Sequence, residues 1–140
     1  MPRFHTVLAY ADGAARGNPG RSGCGALLVD PSTGNILASD SRYVDDYATN
    51  NVAEYHGLIL ALELAHRHQV AHVNVYMDSQ LVVQQMLGNF KVKSANLREL
   101  YQHCIELCKG LRVTMTHVPR EENRAADQLA NRAIDQHPYY

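Results

Sequence analysis

Residues 4–44 read FHTVLAYADGAARGNPGRSGCGALLVDPSTGNILASDSRYV, and this stretch decides the fold. FHTVLAYAD, residues 4–12, has the composition of a strand. GAARGNPGRSG, residues 13–23, is rich in Gly, Asn and Pro and reads as a turn region. GCGALLVD (23–30) is a second strand, and PSTGN (31–35) turns the chain into a third, ILASDSRYV (36–44). Connections this short predict an antiparallel three-stranded meander.

Beyond residue 44 the pattern changes. NVAEYHGLILALELAHRH (51–68) is rich in Ala, Leu and Glu and is the strongest helix. HVNVYM (72–77) alternates as a strand. SQLVVQQML (79–87) is a helix stopped by Gly88. A further helix covers about 94–108, LRVTMTHV (111–118) is the fifth strand, and ENRAADQLANRAI (122–134) is the last helix. The order predicts an α/β fold with a five-stranded mixed sheet, three strands antiparallel and two parallel, and helices on both faces. No linker, repeat or low-complexity segment interrupts it, so residues 1–140 are read as one domain.

Composition narrows the class. The chain is 46% hydrophobic and 19% charged, ordinary values for a soluble domain. No apolar run approaches the ~20 residues that span a bilayer, and MPRFHTVLAY lacks a signal-peptide layout. Cys24, Cys104 and Cys108 are odd in number and have no zinc spacing, so they read as reduced packing thiols in a cytoplasmic protein. The net charge of −1 argues against a protein whose own field grips nucleic acid. Any polyanion would rest on local basic groups or on bound metal.

Four acidic residues flank or enter apolar stretches: Asp12, Glu54, Asp78 and Asp127. Each has a local explanation. Asp12 before Gly13 suits a turn. Asn51 and Glu54 form N-x-x-E, a capping box. Asp78 precedes a helix and suits an N-cap. Asp127 suits a surface charge on the last helix. Against this, Glu54 shares a helical stripe with Leu58, Ala61 and Ala65, which points it inward. If the four converge, they repel one another and form a site for hard cations such as Mg²⁺.

YADGAARGNPGRSGCGA, TNNVAEYHGLILAL, MDSQLVVQQM and PREENRAADQLAN occur in this order over nearly the whole chain. Together they resemble the type 1 ribonuclease H family. The resemblance implies a ribonuclease H-like fold and an endoribonuclease that hydrolyses the RNA strand of RNA–DNA hybrids, leaving 5′-phosphate and 3′-hydroxyl ends. It implies Asp12, Glu54, Asp78 and Asp127 as catalytic, metal-binding carboxylates for two Mg²⁺ ions, with Mn²⁺ as a substitute. Two such ions bracket the scissile phosphate, one activating water and the other stabilising the leaving oxygen. Gly13, Asn18, Thr49, Asn50, Asn51 and Gln80 are implied substrate contacts. The RNA strand is told from DNA by its 2′-hydroxyls, which Asn18, Asn51, Gln80, Glu54 and the backbone near Gly13 are suited to read. Thr49 and Asn18 are suited to hold a phosphate of the DNA strand.

The chain also departs from the family. Some members insert a basic, Trp-rich helix where this chain has only GNFKVKSA, and it contains no Trp. Phe90, Lys91 and Lys93 are left to supply a stacking face and two charges. Many members carry a His before the last carboxylate. Here the nearest is His117, which falls on the strand face of Val113 and Met115 and reads as structural. A monomer without a hybrid-binding domain, membrane contact or obligate protein partner is expected. Two rivals remain: a resolvase or exonuclease of the same fold, and a non-catalytic hybrid-binding module. The T-N-N-x-x-E and G-N-P-G segments argue against the first, and four intact acidic positions against the second.

Overall fold

The computed structural model describes residues 4–138. Strands β1 (Phe4–Arg16), β2 (Gly20–Val29) and β3 (Ile36–Ala48) form an antiparallel meander. Helix α1 (Asn50–Arg67) crosses back to β4 (Val70–Met77), which lies parallel to β1 on its other side. Helices α2 (Gln80–Met86) and α3 (Ala95–Leu107) lead to β5 (Arg112–His117), parallel to β4. A 3-10 turn, Arg120–Glu122, precedes helix α4 (Arg124–Gln136). The sheet order is β3-β2-β1-β4-β5.

Alternation along the strands separates two layers. Val7, Ala9 and Ala11 of β1 and Cys24, Ala26 and Leu28 of β2 are fully buried with Leu58, Leu62 and Ala65 of α1 in the main core. The opposite face of β2 receives α4. A Cβ on Gly23 would lie 2.6 Å from the Ala130 carbonyl oxygen, and one on Gly25 2.7 Å from that of Ala126. These glycines let α4 lie directly on β2 and so fix where its first turn, with Asp127, is delivered. The three cysteines are free, and burial pushes the thiols of Cys24 and Cys104 up to about 12, as expected of packing groups.

The meander corrects the sequence reading at its centre. Residues 13–16 continue β1, with Gly13 opposite Cys24 and Arg16 opposite Arg21. The turn contracts to residues 17–19, where Gly17 takes a φ of +87°. Asp12 is therefore a strand residue opposite Gly25, not a turn residue. Long-range pairing with β2 overrides the local turn propensity of the Asp-Gly pair. β3 likewise runs on to Ala48.

The helix starts differ too. Thr49, not Asn51, caps α1, its hydroxyl accepting from the Val52 N–H at 3.2 Å. Glu54 then lies beyond capping reach, so its role is not a capping box. Ser79 caps α2 in the same way, accepting from Val82 N–H at 3.3 Å, which frees Asp78 from that task. His117 is exposed at the end of β5, while Val113 and Met115 are half-buried, so it is not a structural histidine of that face. The strand's alternation ends before it.

Candidate active site

Sheet register brings the first two carboxylates together. Tyr10 of β1 is level with Tyr76 of parallel β4. Two further residues along the same register bring Asp12 beside Asp78, at the carboxyl end of β4. Open α/β sheets bind ligands at such strand ends. Glu54 arrives from the first turns of α1. Its approach depends on two glycines: a Cβ on Gly13 would lie 2.1 Å from the Ala53 carbonyl carbon, and one on Gly57 2.5 Å from the Asp12 carbonyl oxygen. The bare backbone of β1 thus admits α1 at the one level where Glu54 meets Asp12.

The result is a trio, Asp12, Glu54 and Asp78, whose ligand oxygens all lie within 4.8 Å of one another. Asp12 is 5% exposed and Glu54 8%. Asp127 lies outside that group but lines the same cleft of about 400 Å³ from α4. The Gly13 N–H donates to Asp12 Oδ1 at 2.9 Å and also to Glu54 Oε1. Asp78 Oδ1 accepts from Asn123 Nδ2 at 2.9 Å, and Asp127 Oδ1 from Asn131 Nδ2 at 3.2 Å.

Electrostatically the cluster is unbalanced. Arg16 forms an ion pair with Asp135, Arg42 with Glu63 and Lys109 with Glu106, while Glu54, Asp78 and Asp127 raise the affinity of Asp12 for a proton. Burial drives the Asp12 carboxyl far above the ordinary carboxylate range. The hydrogen bond to Glu54 and the charges of Glu54, Asp78 and Asp127 add to the rise. Glu54 is also raised by burial, against the downward pull of its bonds with Asp12 and Gly13. In the absence of a cation both carboxyls are thus biased toward the protonated form. A set of hard oxygen donors, two of them buried, fits a small divalent cation.

The predicted contacts divide. Gly13, Asn50 and Asn51 line the carboxylate cleft. Asn50 also braces the hairpin: its Oδ1 accepts from Ala15 N–H at 3.1 Å, and its own N–H donates to Asn18 Oδ1 at 3.0 Å. Thr49 lines a neighbouring groove of about 380 Å³ with Tyr47, His56, Asp45 and Glu99. Gln80 is exposed at the start of α2 and is not among the residues lining the cleft. Three residues with no assigned role, Arg16, Arg120 and Asn131, do line it. Asn131 was legible from its i+4 spacing to Asp127 on one helix face. Arg120 lies in the PREEN segment before the last helix, where its position in the sequence gives no sign that it faces the cleft. Arg16 was hidden by the turn reading of residues 13–23.

A mixed sheet in this order, with acidic side chains gathered at the junction of β1, β4, α1 and α4, defines the ribonuclease H-like class. The family model described as reverse transcriptase-like matches residues 10–133. The bifunctional protein Rv2228c of Mycobacterium tuberculosis is 44% identical over 130 residues, covering 92% of this chain and 35% of that protein. Ribonuclease HI of Halobacterium salinarum is 42% identical over 130 residues, covering 92% of this chain and 64% of that protein. The chain thus spans about a third of the mycobacterial relative's length. The solved N-terminal RNase H domain of Rv2228c superposes with a TM-score of 0.89 at 42% identity, covering 94% of each chain. LC11-RNase H1, solved in complex with an RNA/DNA hybrid, gives 0.85 at 41% identity, covering 93% of this chain and 97% of that one. The chain belongs to the type 1 ribonuclease H family.

Proposed function

We propose that this chain is an endoribonuclease that cuts the RNA strand of RNA–DNA hybrids and leaves 5′-phosphate and 3′-hydroxyl ends. The observation that carries the reading is the trio of carboxylates whose ligand oxygens lie within 4.8 Å of one another. The hybrid-bound structure of a relative at 41% identity supports the substrate.

Asp12, Glu54 and Asp78 would hold divalent metal, with Asp127 completing the set from α4; two Mg²⁺ ions are the proposed cofactors. Bound there, such ions supply a nucleophile at neutral pH and stabilise charge on a phosphate. The chain's own residues do the rest. Gly13 brings half-buried backbone to the cleft, and Asn50 and Asn51 line the side along which a ribose would lie, with donors for 2′-hydroxyls. Gln80, exposed at the start of α2 outside the cleft lining, is proposed as a further contact. Thr49 keeps its hydroxyl hydrogen free to donate, since its oxygen accepts from Val52. Asn18 keeps its amide hydrogens, since its oxygen accepts from Asn50. Both suit a phosphate of the DNA strand. Asp45 and Glu99 line the same groove as Thr49 and oppose a polyanion, so the grip there is weak. All four carboxylates come from one chain, so a monomer suffices. Three free cysteines suit a reducing, cytoplasmic setting.

The test compares labelled hybrid, duplex RNA and duplex DNA, with Mg²⁺ and with chelator, and maps the product ends. Metal-dependent cutting of the RNA strand of the hybrid alone is expected. Cutting of duplex DNA would favour a resolvase or exonuclease, and binding without cutting a hybrid-binding module.

A further inference from the structure

Asn123 opens α4 at the N-cap position, where an Asn side chain normally accepts from an N–H of the first turn. Here it makes no capping bond. The side chain points the other way, into the protein, and the residue is 1% exposed. Its Nδ2 donates to the Ala11 carbonyl at 2.9 Å and to Asp78 Oδ1 at 2.9 Å. Its own carbonyl accepts from the Asp127 N–H at 3.1 Å. One residue therefore touches the β1 backbone next to Asp12, the Asp78 carboxylate and the backbone of Asp127.

This arrangement is a poor one for stability alone. A capping bond is forgone, typically about 1 kcal/mol. The Asn123 Oδ1 is buried with no hydrogen-bond partner, and an unsatisfied buried acceptor is itself destabilising. A Ser at this position would bury less polar surface and leave no unsatisfied amide oxygen. What Ser lacks is the reach to span Ala11 and Asp78 with two N–H bonds. The bond to Asp78 also commits one carboxylate oxygen to the protein, which fixes the rotamer and leaves Oδ2 for a ligand.

We infer that Asn123 is a positioning residue that holds Asp78 and Asp127 in register with Asp12, so that its effect falls on cation binding and turnover rather than on the stability of the fold. This rests on the metal-dependent reading above. Partners that orient metal ligands typically change affinity by about 10–100-fold when removed.

The test is Asn123→Ser, followed by Mn²⁺ titration in the absence of substrate and by thermal melting without metal. The expected result is Mn²⁺ affinity reduced at least tenfold, on the scale of about 10–100-fold, with an unchanged or higher metal-free melting temperature. Hybrid cleavage should need correspondingly more metal for half-activation, with a lower kcat and little change in KM for the hybrid. Unchanged Mn²⁺ affinity overturns the inference, as does a variant that loses its fold. Asn123→Asp is the second variant: it fills the same volume but turns an acceptor toward Asp78 Oδ1. Its kcat should fall at least tenfold, and wild-type turnover in it also overturns the inference. Wild-type protein that binds no Mn²⁺ would overturn the proposed function together with this inference; wild-type binding with an unaffected Asn123→Ser variant would overturn this inference alone.

Discussion

Asp12→Asn separates catalysis from stability because the same charge serves one and opposes the other. In the metal-free protein Asp12 faces two carboxylates within 4.8 Å. At an effective dielectric of about 20, each ionised neighbour at that distance opposes its charge by about 3.5 kcal/mol. The penalty has a ceiling, because the group can take up a proton instead. From an ordinary pKa of 3.8, protonation at pH 7 costs about 4 kcal/mol. Asn removes the charge and keeps an oxygen for the Gly13 N–H, now 2.9 Å from Asp12 Oδ1.

The expected gain is about 2–4 kcal/mol at pH 7 without metal, or roughly 7–14 °C in Tm for a chain of this size. The sign follows from the raised carboxyl. Its folded pKa exceeds its unfolded value, so its contribution is most favourable below the unfolded pKa and is lost as pH rises toward the folded one. The advantage of Asn over Asp should therefore shrink as pH falls toward about 4. Saturating Mg²⁺ should close or reverse the gap, since only the parent protein gains full binding energy. Hybrid cleavage by the variant should fall below detection. The assay is calorimetric melting at pH 4 to 8, with chelator and with Mg²⁺, beside a cleavage assay. A variant no more stable than its parent at pH 7, or equally stabilised at pH 4 and pH 7, would refute the repulsion argument. Retained cleavage would remove Asp12 from the reaction.

Three other outcomes are expected. If Asn18, Asn51 and Gln80 contact successive 2′-hydroxyls, a single ribonucleotide in duplex DNA should be cut far more slowly than a run of four or five; equal rates across a one-to-five series would exclude that reading. With a net charge of −1, hybrid binding in Ca²⁺ should show a shallow salt dependence of about two to four phosphate contacts. Lys91→Ala with Lys93→Ala should flatten it further, and a steep parent slope or an unchanged one in the variant would place the hybrid elsewhere. The half-buried His56 is lowered in pKa by burial first, and by the charges of Arg42 and His103. Its neutral form is favoured by folding, so its contribution is present above the unfolded pKa and lost as pH falls through and below it. His56→Gln should lessen the acid-side decline in metal-free stability measured from pH 7.5 to 5, and an unchanged profile would show that His56 does not titrate with unfolding.

The sequence errors and the sequence successes have one physical source. Local propensity spoke clearly at Asp12-Gly13 and at Asn51-x-x-Glu54, and at both it named the wrong cause. The strand continues through Gly13 because residues 13–16 find partners in β2, a contact between segments that no local pattern encodes. Glu54 is beyond the cap because Thr49 starts the helix sooner. The element order survived these errors, since it does not depend on where a strand ends, and Asp12, Glu54 and Asp78 still meet with Asp127 lining the same cleft. Only the register could not be read locally: the pairing of Tyr10 with Tyr76 sets Asp12 beside Asp78. The same limit hid Asn123. It stands in PREENRAADQLAN just before the last helix, where a helix-capping role is the natural assignment for Asn. Its side chain instead turns to a strand 112 residues earlier and to a carboxylate 45 residues earlier. Residues of this kind, whose local role is left unfilled in favour of distant partners, are where this chain gives up stability to assemble its site.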